Sequence, residues 1–385
     1  MSSDVTRGAV GTHGPRTSGL RTSGFSNPVV LGVVGFATTR VVTLMWCWLI
    51  NSPLLSRQLS KGDGDWYLEL AQQGYSSSLE TGSAEHPTNL AFFPLYPGLI
   101  RFFTTLGIEP RLAALAISLL ASLVAAWGLV RLGELLYSSR VGVIMAILWG
   151  VLPASIALSM VLTEALFVAF AVWVLVLCVQ RRLIWASVLT IFAGLARPTA
   201  IALVLAVWWA AWVVLRTERA WRAPLVAVLI APLGWLGFVL WVGNRLDDVK
   251  GYWLVQEQAW NAGMDFGASV LSNMSASIFN LTTPPYFVAT WLLILFSGLF
   301  VLLVRMRARG ELIVYSATIM LMCLTYANYF QVRERLLLTA FPLLIPVAHW
   351  LSAKSNRLVA LVVVALCVSS AYYGSYLLFT WRYSV

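Results

Sequence analysis

The chain has 385 residues, 59% of them hydrophobic and only 11% charged, with a mean hydropathy of +0.80. That composition excludes a water-soluble globule and fits a polytopic helical membrane protein. The net charge of +10, from 26 basic and 16 acidic residues, does not argue for nucleic acid as a partner, because most of the basic residues fall in short breaks between apolar runs, as in the positive-inside pattern.

Residues 1–27 are rich in Ser, Thr, Gly and Arg and have no apolar face, so they read as a disordered cytoplasmic tail. The rest, 28–385, reads as one transmembrane domain. Its first span runs from about Val29 to Ile50. It is too long for a signal-peptide core and no small-x-small site follows it, so it is an uncleaved anchor. The N-terminus is then cytoplasmic and the loop 51–111 extracytoplasmic. Arg40, in mid-span, is expected to face protein rather than lipid.

That loop opens on Asp63-Gly64-Asp65-Trp66-Tyr67-Leu68-Glu69-Leu70-Ala71-Gln72-Gln73-Gly74-Tyr75. Asp63 or Asp65 is expected to cap a helix start, Trp66, Tyr67, Leu70 and Ala71 share one helical face, and Gly74 ends the helix. Trp and Tyr favour the membrane–water boundary, so a short interfacial helix is predicted with carboxylates at its head. A polar stretch follows, ending in Glu85-His86-Pro87-Thr88-Asn89. The run from Ala91 to Arg101, broken by Pro94 and Pro97, reads as a second boundary segment.

Further spans are predicted at about 112–136, 141–162, 164–180, 183–196, 198–215, 223–243, 286–304, 312–329, 336–351 and 358–379. With the first they make about eleven. The inner breaks then carry Arg140, the Arg181-Arg182 pair, Arg216, Arg219, Arg222, Arg305, Arg307, Arg309, Lys354 and Arg357. The outer side receives 51–111, the turn at Thr163-Glu164, the point Arg197-Pro198, the second loop 244–285 and the turn 330–335. The span before Arg197 has only about 14 residues, or roughly 21 Å, less than the ~30 Å hydrocarbon core. Arg197-Pro198 is therefore expected below the outer surface, in a protein-lined or wet recess. Loop 244–285, with Trp253 and Trp260, is a candidate lid. The sparse Lys (Lys61, Lys250, Lys354) in an Arg- and Ala-rich chain points to a GC-rich bacterial genome, so a bacterial plasma membrane is the expected location.

Cys47, Cys178, Cys323 and Cys367 are scattered through apolar spans, and His13, His86 and His349 lie far apart. Neither set has metal-ligand or disulfide spacing. Asp63-Gly64-Asp65 spells Asp-x-Asp, seen in metal-dependent sugar-nucleotide enzymes; a divalent metal is the minority reading here, and no cofactor is expected.

The outer breaks pool Asp63, Asp65, Glu164, Arg197, Gln256, Arg333, Glu334 and Arg335. Outside the membrane there are no nucleotide sugars, so a transferase there needs an activated donor delivered through the bilayer, such as a polyprenyl-phosphate sugar. Its leaving group is already an anion, and one carboxylate suffices as base for the acceptor hydroxyl. Arg is the better bidentate holder of the departing phosphate. Asp63 or Asp65 fits the base and Arg197, Arg333 and Arg335 fit the clamp. Trp66, Tyr67, Glu164, Phe93, Tyr96 and Gln256 are candidate substrate contacts. A lipid or glycan is the expected acceptor, with attack inverting the anomeric centre. A glycolipid transporter or flippase is the alternative; it predicts charges deep in mid-span and two-halves symmetry, and the sequence has Arg40 but no repeat.

The run Asp63-Gly64-x-Trp66-Tyr67-Leu68-x-x-Ala71-x-x-Gly74-Tyr75, followed by Phe92-Phe93-Pro94-Leu95-Tyr96-Pro97, resembles the PIG-V-like mannosyltransferases, membrane enzymes of the GT-C architecture. Thr163-Glu164-Ala165-Leu166-Phe167, Gly194-Leu195-Ala196-Arg197-Pro198-Thr199, Gln256-Glu257-Gln258-Ala259-Trp260 and Arg335 to Pro342 resemble later segments of the same family. The resemblance implies a GT-C fold, transfer of mannose from a polyprenyl- or dolichyl-phosphate carrier, and a catalytic acid at Asp63. One departure is Gly62, where the family usually has Trp, which leaves the base open between Asp63 and Asp65.

Overall fold

The computed structural model describes residues 27–76, 88–218, 221–280 and 282–383. The tail expected over 1–27, save Asn27, and the polar stretch through Glu85-His86-Pro87 lie outside them. The described residues are helical, with one isolated antiparallel bridge, Met264 to Tyr326.

Helix α1 (Pro28–Gln58) starts on an Asn27 cap and kinks at Asn51, whose backbone leaves the helical region just before Pro53. Two short helices follow, α2 (Asp63–Gln73) and α3 (Leu95–Thr105). Next come α4 (Pro110–Leu136), α5 (Ser139–Gly150), α6 (Glu164–Val179), α7 (Leu183–Gly194) and α8 (Ile201–Glu218). Helices α9 (Arg222–Ile230) and α10 (Leu233–Arg245) form one span interrupted at Pro232. The loop beyond carries α11 (Gly251–Leu254), a π turn over Val255–Ala259 and α12 (Ala268–Phe279). The chain ends with α13 (Pro284–Arg305), α14 (Gly310–Thr325), α15 (Arg333–Leu337), α16 (Ile345–Ser352) and α17 (Asn356–Phe379).

Six of these spans are long and apolar enough to cross a membrane, and up to eight if each sharply bent pair is one span. The chain is therefore an all-helical integral membrane protein. One bent pair is α5 with the 3₁₀ turn Pro153–Ser159, at 86°; the other is Phe330–Leu337 with Phe341–Ser352, at 70°. Three further apolar helices, α6, α7 and α14, have 16, 12 and 16 residues. At 1.5 Å per residue none is as long as the hydrocarbon core is thick.

Two sets of contacts define the ends of the bundle. At one end Arg140 donates to Lys354 O (2.6 Å) and Asn356 Oδ1 (3.0 Å), and Arg181 pairs with Glu218 (3.2 Å). At the other, α1 and α17 finish together, with the Lys61 ammonium donating to the Trp381 carbonyl. Here the short helices and both bent pairs leave their broken ends. Backbone freed in this way needs donors, because irregular main chain is tolerated at membrane depth only where protein or water satisfies it. Arg40 supplies them for α5. Fully buried, it donates to the Gly150 carbonyl, to Ser155 O (2.5 Å) and to Ser155 Oγ (2.8 Å). It faces protein, as expected from its place in mid-span.

Candidate functional site

The turn before α2 sets up the site. Gly62 is the residue preceding the helix and has φ 74°, a conformation L side chains rarely adopt. Neither aspartate caps α2, contrary to expectation. Asp63 and Asp65 instead occupy its first turn, where the helix dipole favours carboxylates. Gly64 presses onto the segment before α6: a Cβ there would lie 3.0 Å from Val161 O. Val161 N also donates to Leu59 O at 2.8 Å. Asp63 is thereby held beside the N-terminus of α6, where Glu164 is wholly buried in another first turn.

Two guanidinium groups join these acids. Arg335 reaches Asp63 Oδ2 through Nη2 (2.5 Å) and Glu164 Oε1 through Nε (2.8 Å). Arg197, at the α7–α8 break, meets the same Glu164 oxygen at 2.5 Å and donates to Thr163 Oγ1 at 3.0 Å. Four charged residues from four separate segments thus form one charge-balanced chain: Asp63, Arg335, Glu164, Arg197. The side chains of Glu164, Arg335 and Arg197 are 0%, 8% and 13% exposed, and that of Asp63 23%. Asp63 is thus the end of the chain most open to solvent. Arg335 Nη1 and Arg197 Nε remain without hydrogen-bond acceptors among the described residues. A cavity of about 10 Å³ lies against Arg335, Gln331 and Trp381, enough for one water and too small for a sugar.

The remaining predicted residues divide. Tyr67 is buried and its hydroxyl lies 3.4 Å from Thr163 Oγ1, which brings it to the cluster. Trp66 is half-buried, stacked on Phe92 at 6.0 Å and edge-on to Trp260 at 5.6 Å. Asp65 is exposed and makes no ion pair with the network. Gln256 donates to the Tyr252 hydroxyl at 3.1 Å.

Three expectations are corrected. Arg333 does not join the clamp: it donates to the carbonyls of Cys323 (2.8 Å), Asn328 (3.0 Å) and Tyr326, closing the end of α14. Phe93 is a core residue against Phe238 (4.4 Å) and Tyr252. Tyr96 is fully buried and its hydroxyl is taken by Ala114 O (3.0 Å) and Ser118 Oγ (2.8 Å), tying α3 to α4. Glu334, from the pooled outer set, accepts from the Tyr373 hydroxyl through both oxygens, at 2.7 and 2.8 Å.

The structure adds Tyr329. It and Asn328 both have positive φ, 44° and 58°, and such strain in non-glycine residues collects at functional sites. Burial raises the Tyr329 phenol above its ordinary range, and the negative charge of Asp63 adds to the effect. The residue is 47% exposed. No sequence motif marks it; only the turn that Arg333 holds brings it to Asp63. Trp260, from the candidate lid, is fixed by Nε1 donating to Thr88 O at 3.0 Å.

A comparison of the chain with models of known protein families finds no match, and a comparison with curated proteins finds none similar to it. A carboxylate with one partner and partial solvent access can take a proton. Two adjacent guanidinium groups with N–H bonds to spare can hold an anion.

Proposed function

We propose that the protein is an inverting glycosyltransferase of GT-C type that moves a hexose from a polyprenyl-phosphate carrier to an acceptor on the extracytoplasmic side. The observation that carries this reading is the ionic chain Asp63–Arg335–Glu164–Arg197 at the end of the bundle where the short and bent helices stop. Six to eight spans are long and apolar enough to cross; with the three shorter apolar helices, α6, α7 and α14, counted as further crossings, the total is the eleven expected for this topology. Orientation follows from the arginine-rich breaks around Arg140, Arg181 and Lys354 at the opposite end, which the positive-inside bias puts in the cytoplasm.

In the proposed reaction Asp63 takes the proton of the acceptor hydroxyl as that oxygen attacks the anomeric carbon. The bond from that carbon to the phosphate oxygen breaks, its electron pair leaves with the carrier phosphate, and the configuration inverts. Arg197 and Arg335 hold the departing phosphate, each using an N–H not already engaged. Glu164 keeps both guanidinium groups in place. That the hexose is mannose rests on the resemblance of the Asp63–Tyr75 and Phe92–Pro97 runs to PIG-V-like enzymes.

The test is transfer by purified protein given labelled polyprenyl-phosphate mannose. Asp63→Asn is expected to lower kcat about 10²-fold or more, the contribution of a positioned base. Asp65→Asn, outside the network, is expected to stay within about threefold, since it removes no transition-state contact. Full activity in Asp63→Asn would remove the base from the mechanism.

A further inference from the structure

At the end of the bundle away from the ionic chain, α4 and α6 leave a groove of about 580 Å³ lined by Trp127, Arg131, Glu134, Trp173 and Gln180. Its charged and aromatic residues sit at two levels. Counted back from the ends of α4 and α6 at about 1.5 Å per residue, the backbone of Glu134 and Arg131 lies about 3 and 7.5 Å from the helix end and that of Trp173 and Trp127 about 9 and 13.5 Å in, and the contact between Arg131 and Glu134 puts their charged groups together. The two indoles meet edge to face at 4.8 Å, and Trp173 Nε1 donates to Val124 O at 3.3 Å, which fixes its ring. Arg131 and Glu134 face each other at 3.0 Å, with side chains 52% and 15% exposed.

A carboxylate and a guanidinium side by side near the helix ends, with two indoles further in, match the ammonium, the phosphate and the acyl chain of a zwitterionic phospholipid. We propose that this groove binds a bilayer phospholipid with a primary-amine headgroup, its phosphate on Arg131, its ammonium on Glu134 and its chain against Trp127 and Trp173. The Arg131–Glu134 pair does not oppose this, because an exposed i,i+3 pair contributes little on its own and both ions regain a partner in the lipid. Charge decides the headgroup. A lipid with a phosphate and no cation, such as a glycerol phospholipid, takes Arg131 from Glu134 and leaves the carboxylate facing a second anion. A choline headgroup carries a cation with no N–H to donate to the carboxylate. The site is independent of the glycosyl-transfer reading.

The experiment is native mass spectrometry of the full-length protein released from bilayers containing equal amounts of ethanolamine, choline and glycerol phospholipids. The wild type is expected to retain the ethanolamine lipid about tenfold over each of the others, the ratio one charge-assisted hydrogen bond supplies. Glu134→Gln is expected to keep bound lipid and lose the preference. Arg131→Gln is expected to lose most retained lipid of every class. Equal retention of the three headgroups by the wild type, or no retained lipid, overturns the proposal without reliance on any variant. So does a preference that survives in Glu134→Gln.

Discussion

Arg335 reaches two carboxylates with two different nitrogens, Nη2 to Asp63 and Nε to Glu164, a geometry a lysine ammonium does not reproduce. Arg335→Ala leaves Asp63 without its cation and Glu164 with Arg197 alone, in a largely buried setting. We expect it to destabilise the protein by about 3–5 kcal/mol, read as a lowered unfolding midpoint in detergent. Arg335→Lys should keep more of the stability and still lose donor binding, read as a raised KM. At Gly62, φ of 74° predicts that Gly62→Ala costs about 1 kcal/mol or more by the same measurement. The residues of the network could be read from the sequence because acids are scarce and because these acids and arginines sat in predicted outer breaks. What the sequence left open or misplaced has one physical cause. Positions i and i+2 on a helix point about 200° apart, so Asp63 and Asp65, or Arg333 and Arg335, are close in sequence and face different surroundings. Which member turns inward is set by the helix's docking, and here Gly64 against Val161 and the turn at Tyr326–Tyr329 decide it.

At the scale of elements, apolar composition located the spans and hid their bends. The run 141–162 reads as one crossing, yet α5 stops at Gly150 and the chain turns by 86°. The visible signal was Pro153; the donor that makes the break tolerable, Arg40, is more than a hundred residues away. Arg40→Leu makes the side chain apolar and removes the guanidinium donors to the carbonyls of Gly150 and Ser155, leaving Gly150 O with the Thr39 and Ser155 hydroxyls. Unmade bonds to buried carbonyls cost about 1–3 kcal/mol each, so hydrogen exchange over residues 150–164 should quicken, and transfer should fall through displacement of Glu164. Exchange there at the wild-type rate would mean that the break supports itself. The aromatic side chains were legible as a type and not by role. Phe93 and Tyr96 lie in the same run as Phe92, but the fold uses them for the core, whereas Trp66 and Trp260 stay half-exposed.

For the molecule as a whole, the second loop is latched across the site's edge. Met264 pairs with Tyr326, Ala327 N donates to Gly263 O (2.8 Å), Asp265 N donates to Thr325 O (3.2 Å), and the Asn328 amide donates to Asn261 O. The cavity beside Arg335 holds about 10 Å³, so the proposed transfer requires this latch to open. Bridged antiparallel residues have Cα atoms roughly 4.5–5.5 Å apart, within disulfide range. The double variant Met264→Cys with Tyr326→Cys should therefore lose transfer when oxidised and regain it on reduction. Activity unaffected by oxidation would rule out the loop as a lid. The central claim is that the ionic chain at this end performs glycosyl transfer. Its most direct test is wild-type protein reconstituted in vesicles with doubly labelled polyprenyl-phosphate mannose and a mixture of membrane glycolipid acceptors, following sugar and carrier separately. The account predicts one free polyprenyl phosphate for each new glycosidic bond, with inverted configuration at the sugar. Donor carried across the bilayer intact, with no bond formed, would contradict it.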